Sequence, residues 1–162
     1  MKRVKVNDPA AVSYMGRRRY DEGDYDKAVE YYNKAAELGD ARAHYQLGCV
    51  YYMGHGVEKD KEKEVYHWEK AAIGGNPIAR HELASIEEEN GNTERAVKHY
   101  IIAANLGYEG SMQVLWEYYS IGNITKEKLE STLRTHKAAI DATKSSQRDA
   151  AEAYDRRLAA SR

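Results

Sequence analysis

An internal repeat constrains the fold of this chain more than any other feature. The only two prolines, Pro9 and Pro77, fall at the same repeat position, and each follows a residue that can cap a helix, Asp8 or Asn76. Units of this length cannot bury their apolar face alone, so neighbouring copies are expected to stack. Three copies and a divergent fourth span residues 8–39, 40–75, 76–107 and 108–142.

The second half of each copy carries an apolar stripe with helical spacing, at positions i, i+4, i+7 and i+8. In the first and third copies the stripe consists of Ala28, Tyr32, Ala35 and Ala36, and of Ala96, Tyr100, Ala103 and Ala104. The second copy keeps Trp68 but has Glu64 where the others have alanine. We therefore expect a carboxylate at the edge of that stripe.

The first halves are also predicted to be helical. Small residues at Gly16, Gly48 and Ala84 indicate that another helix comes close, and Trp116 breaks this series in the fourth copy. Left-handed glycines are predicted to end the second helices, at Gly39, Gly75 and Gly107.

The turn of the second copy is longer than the others. Gly54 and Gly56 let the backbone double back, and Asp60 is placed to cap the helix that follows. The two glycines therefore serve turn geometry, because no lysine-serine pair follows them to form a phosphate-binding loop.

These residues resemble the Sel1-like repeat family, which is related to the tetratricopeptide repeat. The second copy carries the resemblance in Leu47-Gly48, Gly54, Gly56-Val57, Asp60, Trp68 and Lys70-Ala71-Ala72. It implies an all-α, right-handed superhelical solenoid of antiparallel helix pairs, with about four repeats plus a C-terminal capping helix. We expect residues 1–162 to form one domain. A helix over 125–142 completes the fourth copy, and Ser145-Ser146 separates it from a cap at 143–162 whose helix begins at Gln147.

Composition excludes several functional classes. The formal charge is -1, from 25 basic and 26 acidic residues, so no net field favours nucleic acid. No apolar run is long enough for membrane insertion, and the basic residues of 1–6 lack the apolar segment of a secretory signal. One cysteine, Cys49, fits a reducing compartment. The chain is predicted to be intracellular and cytoplasmic.

No catalytic, cofactor or metal site is predicted. The six histidines show no pair at metal-binding spacing, and we expect His67 and His99, which align with Tyr31, on a solvated face. Adjacent glutamates at 87–89 point in different directions on a helix, and Cys49 has no evident base beside it. Arg17-Arg18-Arg19 is interpreted as a screened surface network with nearby acids.

The resemblance implies that first helices line a concave side where protein or peptide segments dock. Transferring the tetratricopeptide groove positions predicts a mixed polar and aromatic surface, which suits segment recognition. Its residues are Ser13, Arg17, Tyr20, Tyr45, Cys49, Tyr52, His81, Ser85, Glu88, Gln113 and Glu117. In an alternative interpretation, Tyr20 and Tyr52 simply pack within their own helix pairs.

The predicted function is a non-catalytic protein-protein interaction scaffold or adaptor whose ligand is a protein or peptide; the oligomeric state stays open. The alternative is a hydrolase-type enzyme that uses the same groove, since some cysteine-rich bacterial Sel1-like proteins were described as such enzymes. Only the alternative predicts that variants of Glu88, His81 or Cys49 lose a turnover while folding normally.

Overall fold

A computed structural model of the chain describes residues 8–160, which form α-helices and contain no strand. The all-α prediction is therefore confirmed. The expectation that residues 1–6 form no secretory signal lies outside the described residues. The helices are α1 (Pro9–Asp21), α2 (Tyr25–Glu37), α3 (Ala41–Met53), α4 (Lys61–Ile73), α5 (Pro77–Glu89), α6 (Thr93–Asn105), α7 (Glu109–Ser120) and α8 (Lys126–Ala160).

The helices group into two compact units, each of which is described by itself. The first unit extends to His99 and the second begins at Tyr100, so α6 contributes residues to both. In the first unit, α1 packs on α2 and α3 on α4 as helix hairpins, and α2 and α4 also contact the first helix of the next copy. The predicted single-domain boundaries stay a prediction.

Capping residues begin the helices where the sequence predicts. Pro9 opens α1, and the Asp8 carboxylate accepts a hydrogen bond from the amide of Ala10 at 3.1 Å. The Asn76 side chain caps α5 in the same way, with bonds of 3.0 Å from two backbone amides. Asp60 accepts from a backbone amide of α4 at 3.0 Å, so its predicted capping role is confirmed.

Small residues let the two helices of a hairpin approach closely. A Cβ added at Gly48 would overlap the indole of Trp68, and one added at Gly16 would meet the ring of Tyr32 at 2.7 Å. Both aromatic rings are buried, with Trp68 only 5% exposed. In these two hairpins, the glycine on one helix therefore leaves room for the buried aromatic side chain of the other helix.

The long turn of the second copy reaches back to the first hairpin. Gly54 and Gly56 have φ angles of +76° and +72°, which favour glycine. A Cβ at Gly56 would also lie 2.8 Å from the backbone of Tyr25, so this position allows no larger residue without movement. Between the glycines, His55 stacks on Tyr25 and its Nδ1 forms a 2.8 Å hydrogen bond with the Tyr20 hydroxyl.

In the second unit, α8 differs from the prediction. The break expected at Ser145-Ser146 is wrong, because α8 runs without interruption from Lys126 to Ala160. Leu129, Thr132 and His136 are buried, whereas the side chains at 141–150 are all exposed. Among the side chains at 126–150, those that contribute to the core of this unit therefore lie in the first part of the helix. The capping role of 143–162 stays a prediction.

A buried histidine ties three elements of the second unit together. His136 Nδ1 lies 2.8 Å from the carbonyl oxygen of Ala104 near the end of α6, and its Nε2 lies 3.0 Å from a carboxylate oxygen of Glu109 on α7. Since both partners are acceptors, the imidazolium form can donate both bonds.

Trp116, which breaks the series of small residues, is 49% exposed.

Candidate functional site

The first unit contains an open groove between α3 and α5, with a volume of about 380 Å³. We call it the α3–α5 groove, and its wall combines aromatic, apolar and acidic side chains. It is lined by Tyr45, Cys49, Tyr52, Met53, Lys61, Glu64, Trp68, Glu82, Ser85, Ile86 and Glu89.

Helical spacing explains how each wall of the groove arises. On α3, Tyr45, Cys49 and Tyr52 are separated by four and three residues and thus share one face. The wall from α5 repeats this spacing with Glu82, Ser85, Ile86 and Glu89. Trp68 of α4 packs against Tyr45 and Cys49 in the core beneath.

The three carboxylates of the groove differ in burial. Glu64 is 3% exposed and pairs with the ammonium of Lys61 at 2.8 Å, so the carboxylate expected at the edge of its stripe is buried. Glu82 is half-buried, and this burial, together with the charge of Glu64, raises the pKa of its carboxyl group. Glu89 at the end of α5 is exposed. Negative charge therefore runs from the core side of the groove to its rim.

The cysteine in the groove lacks the properties of a nucleophile. Burial is the main cause that raises the pKa of the Cys49 thiol, although the neighbouring side chains of Tyr45 and Trp68 act in the opposite direction. A raised pKa lowers the thiolate fraction, and the thiolate is the reactive form. Cys49 thus contributes a small, weakly polar surface to the groove.

The structure brings together four of the eleven predicted groove residues: Tyr45, Cys49, Tyr52 and Ser85 line the α3–α5 groove. Ser13 and Arg17 line a separate cavity of about 180 Å³ between α1 and α3. Tyr20 is engaged with the long turn of the second copy through His55, so its contacts extend beyond the helix pair in which the alternative interpretation places it.

The other predicted residues lie outside the α3–α5 groove. His81 is half-buried, and burial lowers its pKa, while Glu88 is exposed about two turns further along α5. Gln113 and Glu117 are exposed on α7 in the second unit. The prediction missed Met53, Lys61, Glu64, Trp68, Glu82, Ile86 and Glu89 as groove residues. The seven-residue spacing of Glu82 and Glu89 was a sequence signal that could have found those two.

The arginine run of α1 forms the surface network predicted for it. Arg17 pairs with Asp21 at 3.1 Å, and Glu22 pairs with both Arg18 and Arg19. All of these side chains are substantially exposed. Such pairs contribute little to stability and leave the arginines screened.

His67 on α4 does not lie on the solvated face that the sequence predicts. It is half-buried and pairs with His44 on α3. Their Nδ1 atoms lie 3.0 Å apart, and the rings of Tyr51 and Tyr66 pack around His67. Burial, then the neighbouring His44 and Lys63, lowers the pKa of His67 to about 4. Within residues 8–160, no three His, Cys, Asp or Glu side chains are grouped so that they could hold a metal ion.

The stacked helix hairpins define the chain as a helical-repeat protein. The profile of the Sel1 repeat matches it three times, at residues 9–40, 41–76 and 78–108. The chain belongs to the Sel1 repeat family.

Solved structures share this fold. A Sel1 repeat protein from Oxalobacter formigenes superposes with a TM-score of 0.68 at 28% identity, over 82% of this chain and 59% of that one. The protective antigen c5321 of uropathogenic Escherichia coli has a TM-score of 0.65 at 23% identity, over 84% of this chain and 32% of that one. The second likeness shows the fold alone.

Curated relatives match shorter stretches. HcpC of Helicobacter pylori strain J99, whose name assigns it provisionally to the beta-lactamases, is 39% identical over 56 residues, which is 35% of this chain and 19% of HcpC. Chitin synthase regulatory factor 4 of Schizosaccharomyces pombe is 30% identical over 86 residues, which is 52% of this chain and 14% of that protein. The chain thus spans less than a fifth of the length of these relatives.

No helix among the described residues has the length and apolar character needed to cross a bilayer.

Proposed function

We propose that this protein is a non-catalytic adaptor that binds a segment of another protein in the α3–α5 groove. The observation that carries the proposal is the groove itself, an open site with exposed Tyr52 and Met53 on one wall and polar side chains on the other. Tyrosine and methionine give contact area that adapts to a partner, and the polar groups select among segments.

The hydrolase alternative finds less support in the groove. An activated nucleophile needs a lowered pKa or an adjacent base, whereas burial raises the pKa of Cys49. His81 and Glu88, the other residues on which that alternative relies, do not line the groove. The beta-lactamase name of HcpC applies to a protein of which this chain matches 19%.

A selection experiment tests the adaptor proposal. Phage displaying random dodecapeptides are selected on the immobilised chain, and enriched peptides are then measured against two variants. Tyr52→Ser/Met53→Ser changes the exposed wall of the groove, while Tyr66→Ser changes a tyrosine of similar exposure that lies outside it, at 51% against 58%.

We expect the enriched peptides to lose binding to the groove variant and to keep it with Tyr66→Ser, because only the groove variant removes contact area at the site. Circular dichroism of both variants checks that the helices remain. Equal capture by the wild-type chain and by the groove variant would rule out this groove as the binding site.

A further inference from the structure

We propose that the α3–α5 groove takes a basic side chain, arginine or lysine, from the bound segment. The inference rests on the adaptor function proposed above and specifies the chemistry of its partner. It starts from a charge imbalance among the lining residues.

The groove holds more negative than positive charge. Glu64, Glu82 and Glu89 contribute three carboxylates and Lys61 one ammonium, so two negative charges are left uncompensated. Lys61 is itself engaged with Glu64 at 2.8 Å. Among the described residues, no cation forms an ion pair with Glu82 or Glu89.

The uncompensated carboxylates are placed along one line. Glu82 and Glu89 are seven residues apart on α5, which puts them on the same side of the helix and about 10 Å apart along its axis. Ser85 and Ile86 lie between them and also line the groove. A cationic group that enters here therefore meets a carboxylate at the rim and another at greater depth.

The opposite wall suits the rest of a basic side chain. Tyr52 is 58% exposed and Met53 is 43% exposed, and Ile86 faces the same space from α5. Lysine and arginine carry an aliphatic stem that packs on apolar surface while the charged head remains in a polar environment. The Tyr52 ring can also face the cation, as aromatic rings do in cation–π contacts.

Burial makes the groove discriminate between charges. Covering Glu82 with a neutral or acidic segment would remove water from a carboxylate without giving it a cation, which is unfavourable. The raised pKa of Glu82 agrees with this, since its causes are burial and the neighbouring negative charge of Glu64. A basic residue relieves both effects, so a segment that carries one is favoured over one that does not.

The test compares two variants with the same change in net charge. Glu82→Gln/Glu89→Gln neutralises the groove, and Glu30→Gln/Glu62→Gln neutralises two exposed carboxylates that do not line it. Random dodecapeptides are selected on the wild-type chain, and one enriched peptide is synthesised with and without its basic residue replaced by glutamine. Affinities are measured by fluorescence anisotropy at low and high salt.

We expect enrichment of arginine or lysine at one peptide position. Binding should weaken about tenfold when either that residue or the Glu82/Glu89 pair is neutralised, and the two losses should not add. The Glu30/Glu62 variant should bind like wild type, and added salt should weaken only the charged pairing.

Two outcomes separate the failure of this inference from the failure of the adaptor proposal. Peptides that need Tyr52 and Met53 but contain no preferred basic residue, and that bind the Glu82/Glu89 variant unchanged, would overturn the charge preference and leave the adaptor function standing. Peptides that bind the Tyr52/Met53 variant as well as wild type would overturn both. Glutamine has the same shape as glutamate, so we expect each variant to fold. Thermal unfolding checks this.

Discussion

Acidification should destabilise the first unit through the His44–His67 pair. The neutral pair forms its Nδ1–Nδ1 hydrogen bond of 3.0 Å with one ring donating and the other accepting. Burial and the nearby positive charges lower the pKa of His67 to about 4 in the folded chain, against about 6.5 when unfolded. The unfolded chain therefore binds the proton more readily. Stability should be greatest above about pH 6.5 and should fall as the pH drops towards about 4.

The size of this loss follows from the two pKa values. Each pKa unit corresponds to about 1.4 kcal/mol, which gives about 3.5 kcal/mol for the full gap between about 6.5 and about 4. Because the His67 ring is only half-buried, solvent screening reduces the expected loss to about 1.5 kcal/mol. His67→Tyr removes this contribution, and the aligned position in the first copy already holds Tyr31, also half-buried.

Urea unfolding of the wild type and of His67→Tyr, between about pH 7.5 and about pH 4.5, measures the effect. The difference in unfolding free energy between the two proteins should shift by about 1.5 kcal/mol in favour of the variant as the pH falls. Burial also lowers the pKa of His81 and of His99, but both titrate in the two proteins and cancel in the difference. The pKa of His44 is lowered by burial as well, and His44 loses its partner in the variant, so the shift reports on the pair. A pH-independent difference, or an NMR titration of the His67 ring near its ordinary pKa, would refute the reasoning.

Three further substitutions test interactions within each unit. Gly48→Ala should lower the unfolding free energy by about 1–3 kcal/mol in urea unfolding, because its Cβ overlaps Trp68, although alanine normally favours a helix over glycine. Glu82→Gln should raise the melting temperature at neutral pH, and the gain should shrink in acid as the carboxyl group of raised pKa takes up its proton. His136→Ala should cost about 2 kcal/mol in the same urea assay, since it removes a buried side chain together with its bonds to the Ala104 carbonyl and to Glu109.

Much of the fold could be predicted because local chemistry and the repeat pattern agree. The capping residues, the left-handed glycines and the alanine stripes each specify a helix boundary or a buried face, and each recurs along the chain. The break at Ser145-Ser146 was a misreading of weaker signals. Serine does not stop a helix by itself, and here the Ser146 hydroxyl donates to the carbonyl of Ala142 at 3.1 Å within α8.

The groove could be predicted on α3 but only partly on α5. Tyr45, Cys49 and Tyr52 follow the transferred positions, whereas the α5 wall uses Glu82 and Glu89 in place of His81 and Glu88. One residue corresponds to about 100° around a helix, so the rotation of α5 about its axis decides which of two adjacent side chains faces the groove. That rotation is set by how Ala79 and Leu83 pack on Trp68, and positions transferred from another repeat do not contain this information.

Position 64 has two opposing requirements: the repeat fold favours a small apolar residue there, whereas the acidic groove has a carboxylate. Its counterparts Ala28 and Ala96 are fully buried, so an alanine satisfies the packing there. A carboxylate at this site must instead be desolvated, and its pairing with the exposed Lys61 offsets only part of that cost. Positions where a sequence breaks its own structural pattern tend to serve function. The departure in the second copy places a carboxylate near Glu82 and contributes to the raised pKa of that group, an effect that the proposed basic ligand would relieve.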